Sequence, residues 1–242
     1  MTSTVVTFYK ENKDRVENLE SLMKYFTEDE RWHSFLKICL DTGNIINFND
    51  KRRGGAIGFK FATLKSFASC KSSDGKQYLL PYIIEKIADQ HMECFDFYQD
   101  MRSCLTGALT YELDDVIQNI STLKMRFNKL KSLLEHAEKG SIRDENFISN
   151  FEPFYAENVK DTIELETRAL GLKEKLVEMA VKYGDDPKKI KGAKSTDILK
   201  EYDKIFSEFG KNIENAVKAK EKEKKKSDKN ASKAKKGVIN DD

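Results

Sequence analysis

Proline occurs only three times in 242 residues, so little in this chain interrupts a helix. Cysteine is sparse too. Cys39, Cys70, Cys94 and Cys104 form no CxxC pair and lack the density of a disulfide scaffold, which points to reduced thiols and a cytosolic compartment. The three histidines, His33, His91 and His136, are far apart and share no ligand spacing with the cysteines, so neither a metal site nor a cofactor is expected. There is no signal peptide and no apolar run long enough to span a bilayer. A nucleotide loop is excluded as well, because no GxxxxGK[ST] is present and no apolar strand precedes the glycines. The carboxylate pairs Asp114-Asp115 and Asp185-Asp186 read as solvated faces or turns. No nucleophile, metal or acid–base constellation accompanies them, and the chain is not expected to be an enzyme.

What is present is charge and helical periodicity. Charged residues make up 35% against 39% hydrophobic, with a mean hydropathy of −0.65, a balance that suits solvated helices better than a compact α/β enzyme. Val16, Leu19, Met23 and Phe26 recur three and four apart and predict a helix over residues 11–25, after a frayed start at residues 1–10. Thr27-Glu28-Asp29-Glu30 has the form of a capping box for a second helix over residues 28–41. That helix would bury Trp32 or Phe35 with Leu36, Cys39 and Leu40, and Gly43 is its natural stop. Trp32, the one tryptophan, reads as a core or surface-groove residue rather than a ligand platform. Ser73 or Asp74 can cap a helix with Leu79, Leu80, Ile83, Ile84 and Ile87 that continues through Phe95 and Tyr98, with Pro81 early in it as a source of a kink or a shifted start.

The clearest pattern is the seam Leu113, Val116, Ile120, Leu123, Phe127, Leu130, Leu134 and Ala137, whose steps alternate three and four until Gly140. A second seam, Leu165, Ala169, Leu172, Leu176, Met179 and Tyr183, opens at Phe151-Glu152-Pro153-Phe154 and closes at Gly184 and Pro187. Residues 139–150 can reverse the chain between them, which predicts an antiparallel pair. Ser195 or Thr196 starts a last helix with Asp197 in its first turn and the stripe Leu199, Tyr202, Phe206, Phe209, Ile213 and Ala216. Lys, Glu, Ser and Ala then take over with no apolar period, so residues 222–242 are expected to be a disordered basic tail able to attract an acidic surface. The fold class is therefore all-α: an elongated helical bundle with long antiparallel coiled-coil helices and one glycine-rich loop.

That loop is the informative stretch. Residues 40–82 hold Gly43, Gly54, Gly55, Gly58 and Gly75 of the twelve glycines, between two strongly periodic helical patterns. Gly43-Asn44-Ile45-Ile46-Asn47, Arg52-Arg53-Gly54, Ala56-Ile57-Gly58-Phe59, Leu64, Cys70-Lys71-Ser72-Ser73-Asp74 and Leu79-Leu80 follow one another in order. In this the chain resembles the formin homology-2 domain of the formins. The family has Met where Ile46 stands, Asp-Thr where Ser69-Cys70 stand and commonly His where Pro81 stands, and residues 48–53 carry one residue more. Tyr183-Gly184-Asp185-Asp186-Pro187 resembles the family's Phe-Gly-Glu-Asp-Pro turn, so the resemblance runs from about residue 11 to 217.

The resemblance implies an actin-binding module: the C-terminal portion of such a domain over residues 11–221, with the post at about 11–110 and coiled-coil and closing helices at about 111–221. In the family two domains close head to tail into a ring, an N-terminal lasso with tryptophans wrapping the partner's post. The ring nucleates filaments and follows their barbed ends, with actin and profilin-actin as partners of the full-length protein. By resemblance Gly43, Asn44, Asn47, Gly54, Gly58, Phe59 and Leu64 belong to the post surface, and Lys71, with Arg52 and Arg53, faces actin. The lasso and knob would precede residue 11, where these residues leave no room, so the chain is expected to be weak alone. A cytoplasmic, cytoskeleton-associated protein with no specific nucleic-acid partner follows. From the heptads alone, the alternative is a coiled-coil scaffold that binds another protein without assembling actin.

Overall fold

The computed structural model describes residues 2–90, 95–139 and 144–237, and most of them are helical. The helices are α1 (Thr2–Glu28), α2 (Glu30–Ile46), α3 (Leu64–Ser69), α4 (Leu79–Gln90), α5 (Asp96–Ala108), α6 (Leu113–Lys139), α7 (Glu145–Lys182), α8 (Pro187–Ile190) and α9 (Ser195–Gly237). A 3₁₀ turn, Phe61–Thr63, precedes α3. Among the described residues no strand forms, only one isolated bridge between Lys71 and Tyr78. Cys94, His91, Gly140 and residues 238–242 lie outside them. The chain divides into two units, Met1–Thr27 with Ser103–Glu201, and Glu28–Arg102 with Tyr202–Asp242.

In the first unit α6 and α7 run antiparallel. Asp114 pairs with Lys173 at 2.6 Å, Glu166 accepts from Ser121 at 2.7 Å and from Lys124, and Phe127 meets Phe154 and Tyr155 with ring centroids 5.9 and 6.2 Å apart. Most of the expected seam positions are buried, Leu113, Val116, Ile120, Leu123, Phe127 and Leu134 from α6 against Leu165, Ala169, Leu172, Leu176 and Met179 from α7, while Leu130, Ala137 and Tyr183 are half-buried. Helix α7 begins earlier than Pro153 suggests. Asp144 caps it, accepting from the Phe147 amide at 3.0 Å, and Pro153 lies exposed inside the helix. Helix α1 likewise begins at Thr2 rather than after a frayed start. Val5, Phe8 and Tyr9 are half-buried, and the buried Asn12 donates to Phe8 O at 2.7 Å and accepts from Asn119 at 3.3 Å, which ties this stretch down.

The second unit is built on aromatic rings. Trp32 is buried, and its centroid lies 6.0 Å from Phe35, 6.1 Å from Phe61, 5.5 Å from Phe97 and 5.4 Å from Phe206. Phe61 also stacks on Tyr202 at 4.6 Å. Such pairs add about 0.5–1.5 kcal/mol each beyond area burial. Three expectations change here. Asp29, not Thr27, caps α2, accepting from the Arg31 and Trp32 amides; the Thr27 hydroxyl donates to Met23 O and so completes the last turn of α1. Helix α2 also runs through Gly43 to Ile46. Pro81 is the third residue of α4, in a first turn where no donor is needed from it.

Beyond the aromatic stripe, α9 remains helical to Gly237, where the sequence read as a disordered tail from residue 222. Lys, Glu and Ala are good helix formers, and a pair such as Glu214 with Lys218 at 3.7 Å adds support along the helix surface.

Candidate functional site

The glycine-rich stretch folds as an irregular loop off the end of α2 in the second unit. Asn47 closes the helix, its amide donating to Gly43 O at 3.0 Å. Asp50 organises the turn that follows, its carboxylate accepting from the Arg52 amide at 2.8 Å and the Arg53 amide at 3.3 Å. The Gly54 amide donates to Asp50 O at 2.7 Å. A Cβ on Gly54 would lie 2.5 Å from the Asn47 carbonyl oxygen, so only glycine fits. Asn44 fastens the far side, its amide donating to Ala56 O at 2.9 Å and accepting from Ala56 N at 2.8 Å. One side chain thus holds both ends of a twelve-residue excursion.

The loop presents apolar residues to solvent. Ile45, Ile46 and Phe48 at the end of α2 are exposed, Phe48 by 83%, and Ile57 is exposed by 102%. Four large hydrophobic residues exposed within thirteen positions exceed ordinary scatter and mark a contact surface. Sequence reasoning did not single them out. Only Ile46 carried a signal, continuing the stripe of α2 seven residues past its last buried member, Cys39.

A second turn stands beside Ile46. The Ser72 amide donates to Gln77 O at 2.8 Å and the Leu79 amide to Cys70 O at 2.8 Å, with Gly75 at φ 70° at the tip. The Ser72 hydroxyl and then the Lys76 amide hold the Asp74 carboxyl below the usual carboxylate range, so Asp74 shapes this turn rather than capping α4. Lys71 is exposed, its ammonium 5.1 Å from the centroid of the Tyr78 ring. It lines an open groove of about 320 Å³ with Ile46, Cys70, Tyr78 and Tyr82.

The structure brings Lys71 and the end of α2 together, while Arg52 and Arg53, exposed on the loop, are not among the groove's lining residues. Arg53 lies 3.8 Å from Asp50. Gly58 is exposed with open space around it, and Gly43 faces Phe67 at an ordinary contact distance of 3.5 Å. Leu64 is buried and Phe59 half-buried against Phe67 at 6.0 Å, so these two support the surface from beneath and do not line it. Among the described residues no group of three or more His, Cys, Asp or Glu could hold a metal, and no helix is long and apolar enough to cross a membrane. Cys39, Cys70 and Cys104 form no disulfide.

Residues 1–207 match the family model of the Formin Homology 2 Domain, and the chain belongs to that family. The match takes in the first ten residues, which α1 also makes part of the fold. Formin-like protein 2 of Oryza sativa subsp. indica is 28% identical over 154 residues, 62% of this chain and 18% of that protein. Disheveled-associated activator of morphogenesis 2 of Mus musculus is 24% identical over 216 residues, 88% of this chain and 19% of that protein. Formin-A of Dictyostelium discoideum is 24% identical over 198 residues, 80% and 16% respectively. The chain thus spans less than a fifth of the length of each of these relatives.

Proposed function

We propose that this chain is an actin-binding module of a formin, cytoplasmic and associated with the cytoskeleton, and part of a dimeric ring that nucleates filaments and follows their barbed ends. The carrying observation is the exposed apolar loop Ile45, Ile46, Phe48 and Ile57, held rigid by Asn44 and Asp50 beside the groove of Lys71. In this reading residues of about 11–110 are the post, whose loop receives the wrapping arm of a second domain. Residues of about 111–221 are the coiled-coil and closing region. Lys71 meets actin, with Arg52 and Arg53 as supporting charges. Profilin-actin would be engaged by the full-length protein.

The scaffold reading finds less support. Its natural docking surface, the heptad seam of α6, is already buried against α7 within the chain.

Filament cosedimentation tests the proposal. Pelleting with filamentous actin is expected to be lost on Lys71→Asp and retained when Lys60 or Lys65 is reversed instead. Pelleting unchanged by Lys71→Asp, with residues 222–242 deleted so that the basic tail cannot substitute, would overturn the assignment of Lys71 and favour the scaffold.

A further inference from the structure

Helix α7 carries a second apolar stripe that its partners in the first unit do not cover. Ile163, Leu170 and Val177 recur at intervals of seven, and Val181 follows four residues on. Ile163 is exposed by 45%, Leu170 by 51% and Val181 by 37%, while Val177 is half-buried. At 3.6 residues per turn these positions lie roughly 120–160° round the helix from the seam centred on Leu165 and Leu172. Gly171 borders the stripe with nothing within 4 Å of where a Cβ would stand, so another backbone can approach closely there.

The charges along this face say what fits it. Lys160 and Glu174 flank the stripe, with Glu152 and Lys182 further out, and none of the four side chains makes an ion pair or hydrogen bond among the described residues. We propose that this face of α7 pairs antiparallel with the same face of a second copy of the chain, about a two-fold axis beside Thr167. That register sets Lys160 at the height of the second copy's Glu174, and Lys182 at the height of its Glu152. It also places Ile163 opposite the gap at Gly171. A parallel pairing would instead bring Lys160 against Lys160 and Glu174 against Glu174. Because the contact is isologous, each complementary pair occurs twice. The face is narrow, so the dimer is weak and concentration-dependent. It uses other residues than Phe48 and Ile57, the pair proposed for the ring, and does not depend on the actin reading.

Sedimentation equilibrium on the full chain tests this. The wild type is expected to show monomer–dimer exchange that Leu170→Lys abolishes while Phe48→Asp leaves it intact. Reversing one charge, Lys160→Glu, removes two attractions and introduces two repulsions, which weakens association roughly tenfold. The double variant Lys160→Glu/Glu174→Lys restores it. In a Cys70→Ser background, Thr167→Cys is expected to form a homodisulfide under mild oxidation, and Lys175→Cys is not. These positions are exposed, so circular dichroism and melting should be unchanged and loss of folding separable from loss of pairing. A strict monomer at all concentrations, a dimer indifferent to Leu170→Lys, or a charge swap that fails to restore association would each overturn the proposal.

Discussion

At the scale of single residues, the contacts most sensitive to change are those that periodicity cannot reveal. Gly210 sits in α9 under the Tyr98 ring, and a Cβ there would lie 1.4 Å from the Tyr98 hydroxyl oxygen. Glycine to alanine inside a helix ordinarily stabilises by about 1 kcal/mol, and overpacking costs about 1–3 kcal/mol, so the clash is expected to win. Gly210→Ala should lower the urea midpoint, and Tyr98→Ala combined with it should cost less than the two changes added separately. Arg168 offers a pH-dependent contact, a fork on Glu20 at 3.0 and 2.6 Å. The hydrogen bond from Arg168 holds the Glu20 carboxyl below its usual value. A carboxylate whose folded pKa is depressed stabilises the fold above its unfolded value of about 4.3, and that contribution drains away as pH falls through the folded one. Glu20→Gln is therefore expected to flatten the decline in melting temperature below about pH 4.5 while lowering stability at neutral pH. Neither contact could be read from sequence, since Glu20 and Arg168 lie 148 positions apart.

Among elements, the sequence was most informative where burial is periodic. The α6 and α7 seams are legible because each buried residue repeats against one neighbour, whereas Trp32 reads as core or surface groove and only the aromatic cluster around it decides for the core. Helix ends were less legible. Pro153 reads as an opener, yet Asp144 supplies the cap and the exposed ring is tolerated within α7; Gly43 reads as a stop, yet α2 carries on through it. In the loop, spacing and resemblance singled out the glycines and basic residues but not the apolar side chains exposed among them. Ile45, Phe48 and Ile57 have no period, and Leu64 matches a surface motif while lying in the core. The two faces of α7 make this difference measurable. Leu172→Ala empties a buried seam position and is expected to cost about 2–5 kcal/mol. Leu170→Ala, two residues away on the exposed face, is expected to fall within about 0.5 kcal/mol at concentrations where the chain is monomeric. Equal losses in chemical denaturation would mean that the seam is not where the buried residues put it.

For the whole molecule, the question is what these 242 residues can do without help. A ring of two domains engages several actin subunits at once, and multivalent engagement of that kind exceeds its single contacts by about 10²–10⁴. In the proposed ring the wrapping arm is anchored by tryptophan, and Trp32, the one tryptophan of this sequence, is held in the aromatic core. On that reading the groups of these residues that would face actin are Lys71 and the arginines of the loop, all exposed charges, with the basic sequence that follows residue 218. Exposed ion pairs are worth about 0–1 kcal/mol and are screened over a Debye length of about 8 Å at physiological ionic strength. The chain alone is therefore expected to bind filaments weakly, with affinity that falls steeply between low and physiological salt, and to leave the lag of a pyrene-actin assembly assay nearly unchanged. Joining the wrapping arm and knob of a formin relative to these residues should shorten that lag, and Phe48→Asp or Ile57→Asp in the joined protein should lengthen it again by preventing closure on the apolar loop. Strong nucleation by the 242 residues alone, insensitive to both substitutions, would mean that the post and coiled coil suffice without a ring.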